Sequence, residues 1–448
     1  MNAEVFLFYF CSMNQDQLIQ LHSVFLASSG VSTDSRKISK DCLFFALKGE
    51  HHDGNQFARS ALQQGALLAI ADDPALCNTP GVFIVDDVLT SLQQLATFHR
   101  MQCPARVIGI TGSNGKTTTK ELITRVLAKK FNVVSTSGNL NNHIGVPLTL
   151  LRIKQETEIA VVEMGANHVG EIDFLSRIAR PDFGLINNIG KAHLEGFGGI
   201  EGVIQAKTEL YRFIKETGGM VFLNMDDALL AKHAQGIKQY SYSKTAHSGI
   251  RGTLVKANPF VHFQWQIPDS AVTFTIQTSL IGIYNLDNLL AAVAVGHFFE
   301  VEPELINAAV ESYQPSNNRS QLITKDGFNI IMDAYNANPV SMSAAICNLA
   351  SLGCSRPVVV LGDMLELGED SQHEHKAILD LLITMGITEV YLVGTEFAVA
   401  AGSYGFPVFR DVHELNNALR EFSWTGTHVL IKGSRGIRLE MLDFINEK

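Results

Sequence analysis

An α/β fold in three domains, built around a doubly wound and mostly parallel central sheet, is what this chain predicts. Three observations carry that reading. Short apolar runs of strand character alternate with helical stretches along most of the 448 residues. One of these runs, Arg106 to Ile110, leads into Thr111-Gly112-Ser113-Asn114-Gly115-Lys116-Thr117-Thr118-Thr119, a glycine-rich turn that opens a helix over Thr117 to Lys129. The strand–helix alternation then starts again after Pro315.

Length and composition set the frame. A chain of 448 residues exceeds one core and suggests roughly two to four domains. Apolar residues at 46% and charged residues at 18% describe a well-buried globular protein. The net charge of −10 speaks against a general nucleic-acid binder, which shows a basic face, and leaves local cradles for small anions open. Six scattered cysteines include no C-x-x-C pair, so neither a zinc site nor a disulfide framework is expected, and a reduced, cytoplasmic protein is. Val5 to Cys11 is apolar but only seven residues long, too short to span a membrane and without the flanks of a signal peptide. Residues 1–12 read as an upstream extension or an extra strand, and no membrane association is expected.

In chain order, residues 1–103 form a small α/β unit. Its strands are expected at Cys42 to Leu47, Leu67 to Ala71 and Val82 to Val85, and its helices at Gln56 to Gln64 and Val88 to Arg100. The second block, 104–315, has strands at Arg106 to Ile110, Ile159 to Met164, Gly184 to Asn187 and Met220 to Leu223. A β-rich stretch follows from Val261 to Leu280, then a helix from Asn285 to Phe299. The third block, 316–448, has strands at Asn329 to Asp333, Val358 to Leu361, Val390 to Val393 and His428 to Ile431. Parallel strands joined by helices place ligands at the carboxyl ends of the strands.

The candidate chemistry sits in the loops after those strands. The turn at Gly112, Ser113, Asn114, Gly115, Lys116, Thr117 and Thr118 is laid out as a phosphate cradle. Glycines let backbone N–H groups wrap an anion, Lys116 reaches the β/γ-phosphates, and the Thr117 hydroxyl suits Mg²⁺. The generic pattern asks for glycine at 110, where isoleucine stands. Glu163 ends an apolar strand and is placed either to hold Mg²⁺ or to face solvent. His193, in the polar loop after the strand at 184–187, reads equally as a metal ligand or a structural histidine. Lys207 has the look of a solvated helix lysine. Asn139, Asn141 and Asn142, between glycines, suit a ligand rich in amide or sugar groups but also an ordinary Asx-rich turn. In the third block Asp333, the Gly362-Asp363-Met364 loop and Lys432-Gly433-Ser434-Arg435 follow buried strands and suggest one ligand-facing edge.

Together these strings resemble the Mur ligase family over essentially residues 14 to 448. The resemblance is strongest to the branch that joins D-alanyl-D-alanine to UDP-N-acetylmuramoyl-tripeptide. The strings that carry it are Thr111 to Thr117, Gly138 to Pro147, Met164 to Ile172, His193 to Gly198, Asp333 to Pro339, Gly362 to Met364 and Lys432 to Arg435. The Asp-Asn-Pro-Arg motif of the sister ligase for diaminopimelate is absent, and folylpolyglutamate synthases lack the asparagine-rich loops. The resemblance implies an N-terminal domain for the UDP moiety, a central ATPase with a phosphate loop, and a Rossmann-like C-terminal domain. It implies ATP and Mg²⁺, with the UDP-linked tripeptide and the dipeptide as partners, and a monomer. It assigns Ser35 and Arg36 to the UDP-contacting turn, and Glu163 and His193 to the metal. Lys207 corresponds to a lysine that relatives carry as a carbamate. Asn285 and Asn288 fall on the adenine side, and Arg319 and Asp333 are ATP contacts from the C-terminal domain. Asn55 and Tyr284 stand where the family often has histidine.

The implied reaction is ATP-driven amide formation through an acyl phosphate, with positioning and charge neutralisation as the protein's task. A rival reading from another class is a nucleotide-gated switch, which would hydrolyse ATP without an amine-bearing second substrate. The polar edges after the third block's strands favour a ligase.

Overall fold

The computed structural model describes residues 13–448 except 246–248, 269, 316–317, 326 and 447–448. The expectation for residues 1–12 lies outside the described residues. Three α/β sheets follow one another along the chain. The first has β1 (Val31–Ser32), β2 (Leu43–Phe45), β5 (Leu68–Ala71) and β6 (Val82–Ile84) in that order, all parallel; a ribbon of β3 (Lys48–Gly49) and β4 (His52–Asp53) lies beside it in sequence. Cys42, Phe44, Ala46, Ala58, Ala61 and Ala69 pack its core.

The second sheet has nine strands: β7 (Arg106–Thr111), β8 (Val133–Ser135), β9 (Ile159–Glu163), β10 (Phe183–Ile186), β11 (Met220–Asn224), β12 (Lys238–Ser243), β13 (Ile250–Lys256), β14 (Phe260–Gln266) and β15 (Thr273–Ile281). Their order is β15-β14-β13-β12-β11-β10-β7-β9-β8. The pairs β7–β9, β8–β9, β11–β12 and β12–β13 are parallel, and β13–β14 and β14–β15 antiparallel. The sequence reading lacks β8, β12 and β13. Lys238–Ser243 alternates polar and aromatic residues without an apolar run, so only its neighbours mark it as a strand.

The third sheet runs β16-β17-β21-β18-β19-β20, from β16 (Gln321–Lys325), β17 (Phe328–Asp333), β18 (Pro357–Gly362), β19 (Glu389–Val393), β20 (Val408–Phe409) and β21 (His428–Lys432). Among the described residues, only the β16–β17 pair in it is antiparallel.

By contact density the chain divides into two compact units. One comprises residues 1–110, 131–165 and 172–184; the other 111–130, 166–171 and 185–448. The three blocks ending at 103 and 315 therefore stay our proposal for domain boundaries. No helix among the described residues is long and apolar enough to cross a membrane.

In the larger unit, two helices set the phosphate loop. Lys116–Leu127 buries Leu122, Ile123, Val126 and Leu127, each worth roughly 1.5–3 kcal/mol. It lies against the buried helix Asn285–Phe298, and a Cβ at Gly296 would come within 2.4 Å of the Val126 Cγ1. The missing side chain lets the two helices approach.

Candidate functional site

The loop after β7 has the shape that an anion needs. Gly112 has φ +144° and Gly115 has φ +80°, both outside the comfortable range of a side chain. A Cβ at Gly112 would meet Asn187 at 3.0 Å, and one at Gly115 would meet the Asn288 Oδ1 at 2.5 Å. Side chains from other loops hold the wrap. Ser113 N–H donates to the Asn188 carbonyl at 3.0 Å. The Ser113 hydroxyl donates to the Gly190 carbonyl and accepts from the Gly190 N–H, both at 2.9 Å. Asn114 N–H donates to the Asn188 Oδ1 at 2.9 Å, and the Asn188 Nδ2 returns a bond to the Asn114 carbonyl at 3.1 Å. Gly115 caps the helix in the left-handed region, and the first intrahelical bond runs from Thr119 N–H to its carbonyl at 2.9 Å. The N–H groups of the first turn lack intrahelical acceptors, which is the physical basis of anion binding there. Lys116 Nζ donates to the Gly112 carbonyl at 2.6 Å and the Ser113 carbonyl at 3.2 Å, so the ammonium rests inside the loop itself. Thr117 is buried and Thr118 half-buried.

Asn285 and Asn288 stand behind this loop. Asn288 Oδ1 accepts from the Thr119 hydroxyl at 3.1 Å and the Asn187 Nδ2 at 3.0 Å, while its own Nδ2 donates to Asn285 Oδ1 at 2.9 Å. Asn285 Nδ2 donates to the Ile281 carbonyl at 2.8 Å. Both amides are buried and bonded to one another, and Asn288 lies against Gly115; their assignment to the adenine side stays a proposal.

Lys207 departs from its solvated reading. It is 1% exposed on the helix Ile200–Thr217, in the apolar stripe of Val203, Leu210 and Ile214. Its Nζ meets the Ala166 carbonyl at 3.4 Å and lies 5.1 Å from the Phe197 ring centroid. Burial, and next the positive charge of Lys116, bring its pKa down to about 7, against the weaker pull of Glu171 and Glu209. The neutral amine is the form that takes up CO₂, and this lowering makes it a substantial fraction near pH 7. The spacing 203–207–210–214 was the signal available in the sequence, since it puts a lysine on the buried face. His193 starts the short helix Leu194–Phe197, with φ +52°, and its ring is partly buried.

The third block contributes a cluster to the same unit. Arg319 stacks on Tyr335 at 3.6 Å from the ring centroid, and Arg435 lies 5.4 Å from it. Asp333 accepts from the Ser320 N–H at 3.0 Å and from the nearly buried Lys432 Nζ at 2.6 Å. The register of β17 against β21 places Asp333 opposite Lys432. Tyr284, in the place of a common family histidine, bonds the Ser320 hydroxyl at 2.9 Å. Asn338 Nδ2 donates to the Asn114 Oδ1 of the phosphate loop at 2.7 Å. The structure thus brings Lys116, Thr117, His193, Lys207, Arg319 and Asp333 into one compact unit and adds Asn338, Tyr335 and Lys432 to the candidates. Paired strand ends were the signal for Lys432; nothing in the sequence ranks Asn338 over its neighbours.

The other unit holds the remaining candidates. Glu163 is 1% exposed at the end of β9, with Asn141 Nδ2 donating to its Oε1 at 2.8 Å. Asn141 therefore orients a carboxylate. Asn142 is spent differently: its Oδ1 accepts from the N–H groups of Ile144 at 3.1 Å and Gly145 at 2.9 Å, so the Asx-turn alternative describes it. Asn139 is exposed. The Arg36 guanidinium makes a two-pronged pair with Asp34, at 2.9 and 3.0 Å, and holds that carboxyl well below the usual range; Ser35 is half-buried beside it. A phosphate approaching Arg36 competes with Asp34. Asn55 is buried, its amide bonded to Asp53 at 2.8 Å and Asp72 at 2.7 Å, which makes it a structural knot.

Among the described residues, no group of three or more His, Cys, Asp or Glu side chains is gathered for a metal. Mg²⁺ commonly takes one or two protein ligands with substrate phosphates and water, so a buried strand-end carboxylate held by an amide fits it.

The Mur ligase middle-domain family model matches residues 110–296, the Mur ligase glutamate ligase domain 318–435, and the Mur ligase family catalytic domain 28–135. The chain belongs to the Mur ligase family. Two of its similar relatives in the family are named UDP-N-acetylmuramoyl-tripeptide–D-alanyl-D-alanine ligase. The one from Bacillus subtilis is 39% identical, over 92% of this chain and 91% of the relative. The one from Escherichia coli is 35% identical over 94% of each. A crystal structure of MurF from Acinetobacter baumannii superposes with a TM-score of 0.85 at 32% identity, covering 98% of this chain and 99% of that one. The Thermotoga maritima MurF ligase in complex with ADP gives 0.82 at 28% identity, covering 96% and 98%.

Proposed function

We propose that this chain is an ATP-dependent amide ligase joining D-alanyl-D-alanine to UDP-N-acetylmuramoyl-tripeptide, a step of peptidoglycan precursor synthesis, acting as a cytoplasmic monomer on soluble substrates. The observation that carries the proposal is the match along nearly the whole chain to ligases of that name. The ADP complex of a related ligase supports ATP as the phosphoryl donor.

The chemistry follows from the substrates. A free carboxylate is a poor acyl donor because oxide leaves badly. A carboxylate oxygen of the tripeptide attacks the γ-phosphorus, and ADP departs. The amine of D-alanyl-D-alanine then attacks the acyl carbon, the amide C–N bond forms, phosphate carries away the C–O electron pair, and the nitrogen loses its proton. No enzyme nucleophile is required. The N–H groups of Gly112 to Thr118 and the Lys116 ammonium hold the phosphates and offset their charge. Arg319 and Asp333 contact the nucleotide from the third block, and Asn338 steadies the loop. Ser35, Arg36 and Asn139 face the UDP-linked substrate, with Asn142 shaping that turn. Thr117, Glu163, His193 and Lys207, as its carbamate, would hold Mg²⁺, which supplies further neutralisation of phosphate charge when bound.

Phosphate release measured with UDP-N-acetylmuramoyl-tripeptide and ATP tests the proposal. Turnover is expected to depend on D-alanyl-D-alanine and to yield the pentapeptide product. Equal phosphate release without either peptide substrate would leave a switch or simple ATPase.

A further inference from the structure

Two residues other than glycine meet in the left-handed region of backbone space: His193 at φ +52° and Glu366 at φ +65°. Such conformations cost about 1–3 kcal/mol each and persist where surrounding structure imposes them. The imidazole Nδ1 of His193 lies against the Glu366 carboxylate. The same segments are joined by a backbone bond, Glu195 N–H to the Glu366 carbonyl at 3.2 Å, and flanked by an ion pair between Lys191 and the nearly buried Glu374 at 2.5 Å. The Glu366 segment is itself pinned. His375 Nε2 accepts from the Met364 N–H at 3.1 Å, which leaves its Nδ1 to donate to the Ser371 carbonyl at 2.7 Å, and the Ser434 hydroxyl accepts from the Leu365 N–H at 2.9 Å.

We propose that Glu366 is a positioning residue for His193: it holds the imidazole in the Nδ1–H form and presents the Nε2 lone pair to the bound cation. The inference rests on the reading of His193 as a cation ligand. A carboxylate opposite a neutral imidazole can only accept, so the nitrogen facing it carries the hydrogen and the other keeps its lone pair. Nδ1 is buried against the Glu366 carboxylate and bonded to nothing else, while the side chain retains 23% exposure. An ordinary half-exposed ion pair would contribute little and would not call for two strained backbones. Glu366 comes from the third block and His193 from the second, so docking of the Glu366 segment readies the ligand.

Two measurements on the full chain with ADP test this. Long-range ¹H–¹⁵N NMR of His193 is expected to show one tautomer, with hydrogen on Nδ1, and a mixture in Glu366→Ala. Mn²⁺ binding followed by electron paramagnetic resonance is expected to weaken tenfold or more in Glu366→Ala, in the range seen for residues that orient a metal ligand, and to recover in part in Glu366→Gln, which keeps an acceptor. A wild-type His193 with hydrogen on Nε2, or Mn²⁺ affinity unchanged in Glu366→Ala, overturns the proposal. His193→Ala separates the two readings: if it binds Mn²⁺ as the wild type does, His193 is no ligand; if it binds weakly while Glu366→Ala binds normally, His193 is a ligand and Glu366 does not position it.

Discussion

The glycine-rich loop at 112–117 and the asparagine-rich loop at 138–145 are alike in sequence, both small, polar and placed after a β-strand, yet they divide labour differently. In the first, the backbone itself makes the proposed phosphate wrap, and amides from elsewhere (Asn187, Asn188 and Asn288) hold its curve. In the second, the asparagine side chains are the working parts, and each has a separate partner: a carboxylate for Asn141, two backbone N–H groups for Asn142. A surface made of backbone leaves a mark in sequence, because only glycine tolerates the conformations it needs. A surface made of side chains leaves none, because one residue type can brace, cap or bind.

Substitutions can break or sharpen that contrast. The largest effect is expected at Lys116: Lys116→Ala should lower ligation at least about 100-fold with the circular dichroism spectrum unchanged, since a charge aimed at developing phosphate charge is lost. Near-normal turnover would mean that the backbone alone suffices. Next comes Lys207. A carbamate forms from the neutral amine, so activity should fall as pH drops through about 7, the value set by burial and by Lys116. Because the pKa is depressed in the folded state, the unfolded chain binds more protons between that value and the ordinary lysine range, and stability should rise with pH across that window. Lys207→Ala should lose activity and regain part of it with short carboxylic acids; a lysine found unmodified in a fully active enzyme refutes the carbamate.

A smaller effect separates the two asparagines. Asn141→Ala should weaken Mn²⁺ binding about 10-fold, because Glu163 loses its orienting amide. Asn142→Ala should cost about 1 kcal/mol of stability, as a lost cap does, and leave Mn²⁺ affinity as it was. Equal effects in a binding titration and a thermal melt would erase the distinction. The smallest change in activity relative to stability is expected inside the glycine loop's brace. Asn288→Ala opens space behind Gly115, leaves the Thr119 hydroxyl without its acceptor and takes from Asn187 Nδ2 one of its two, which should cost about 1–3 kcal/mol in chemical denaturation.

How far the residues could be read alone differs with what each must do. Apolar runs marked the strands at 106–111, 159–163 and 183–186 because buried parallel strands are apolar on both faces. Lys238–Ser243 and Ile250–Lys256 escaped notice because sheet pairing, not composition, makes them strands. Lys207 looked solvated because lysine usually is; the helix stripe that buries it was legible but outweighed by residue type. Lys432 is nearly fully buried against Asp333, a pairing set by register across residues a hundred positions apart.

By itself the sequence determined the α/β class, the place of the phosphate loop and the family, since glycine at positive φ, apolar strands and a lysine after the turn are local requirements that no distant contact can replace. The tertiary structure decided which polar side chains remain for chemistry. A hydrogen-bonding group is committed by whatever the fold brings within about 3 Å, and Asn142 capping its own turn, Asn288 bracing Gly115 and Glu366 meeting His193 all depend on that proximity.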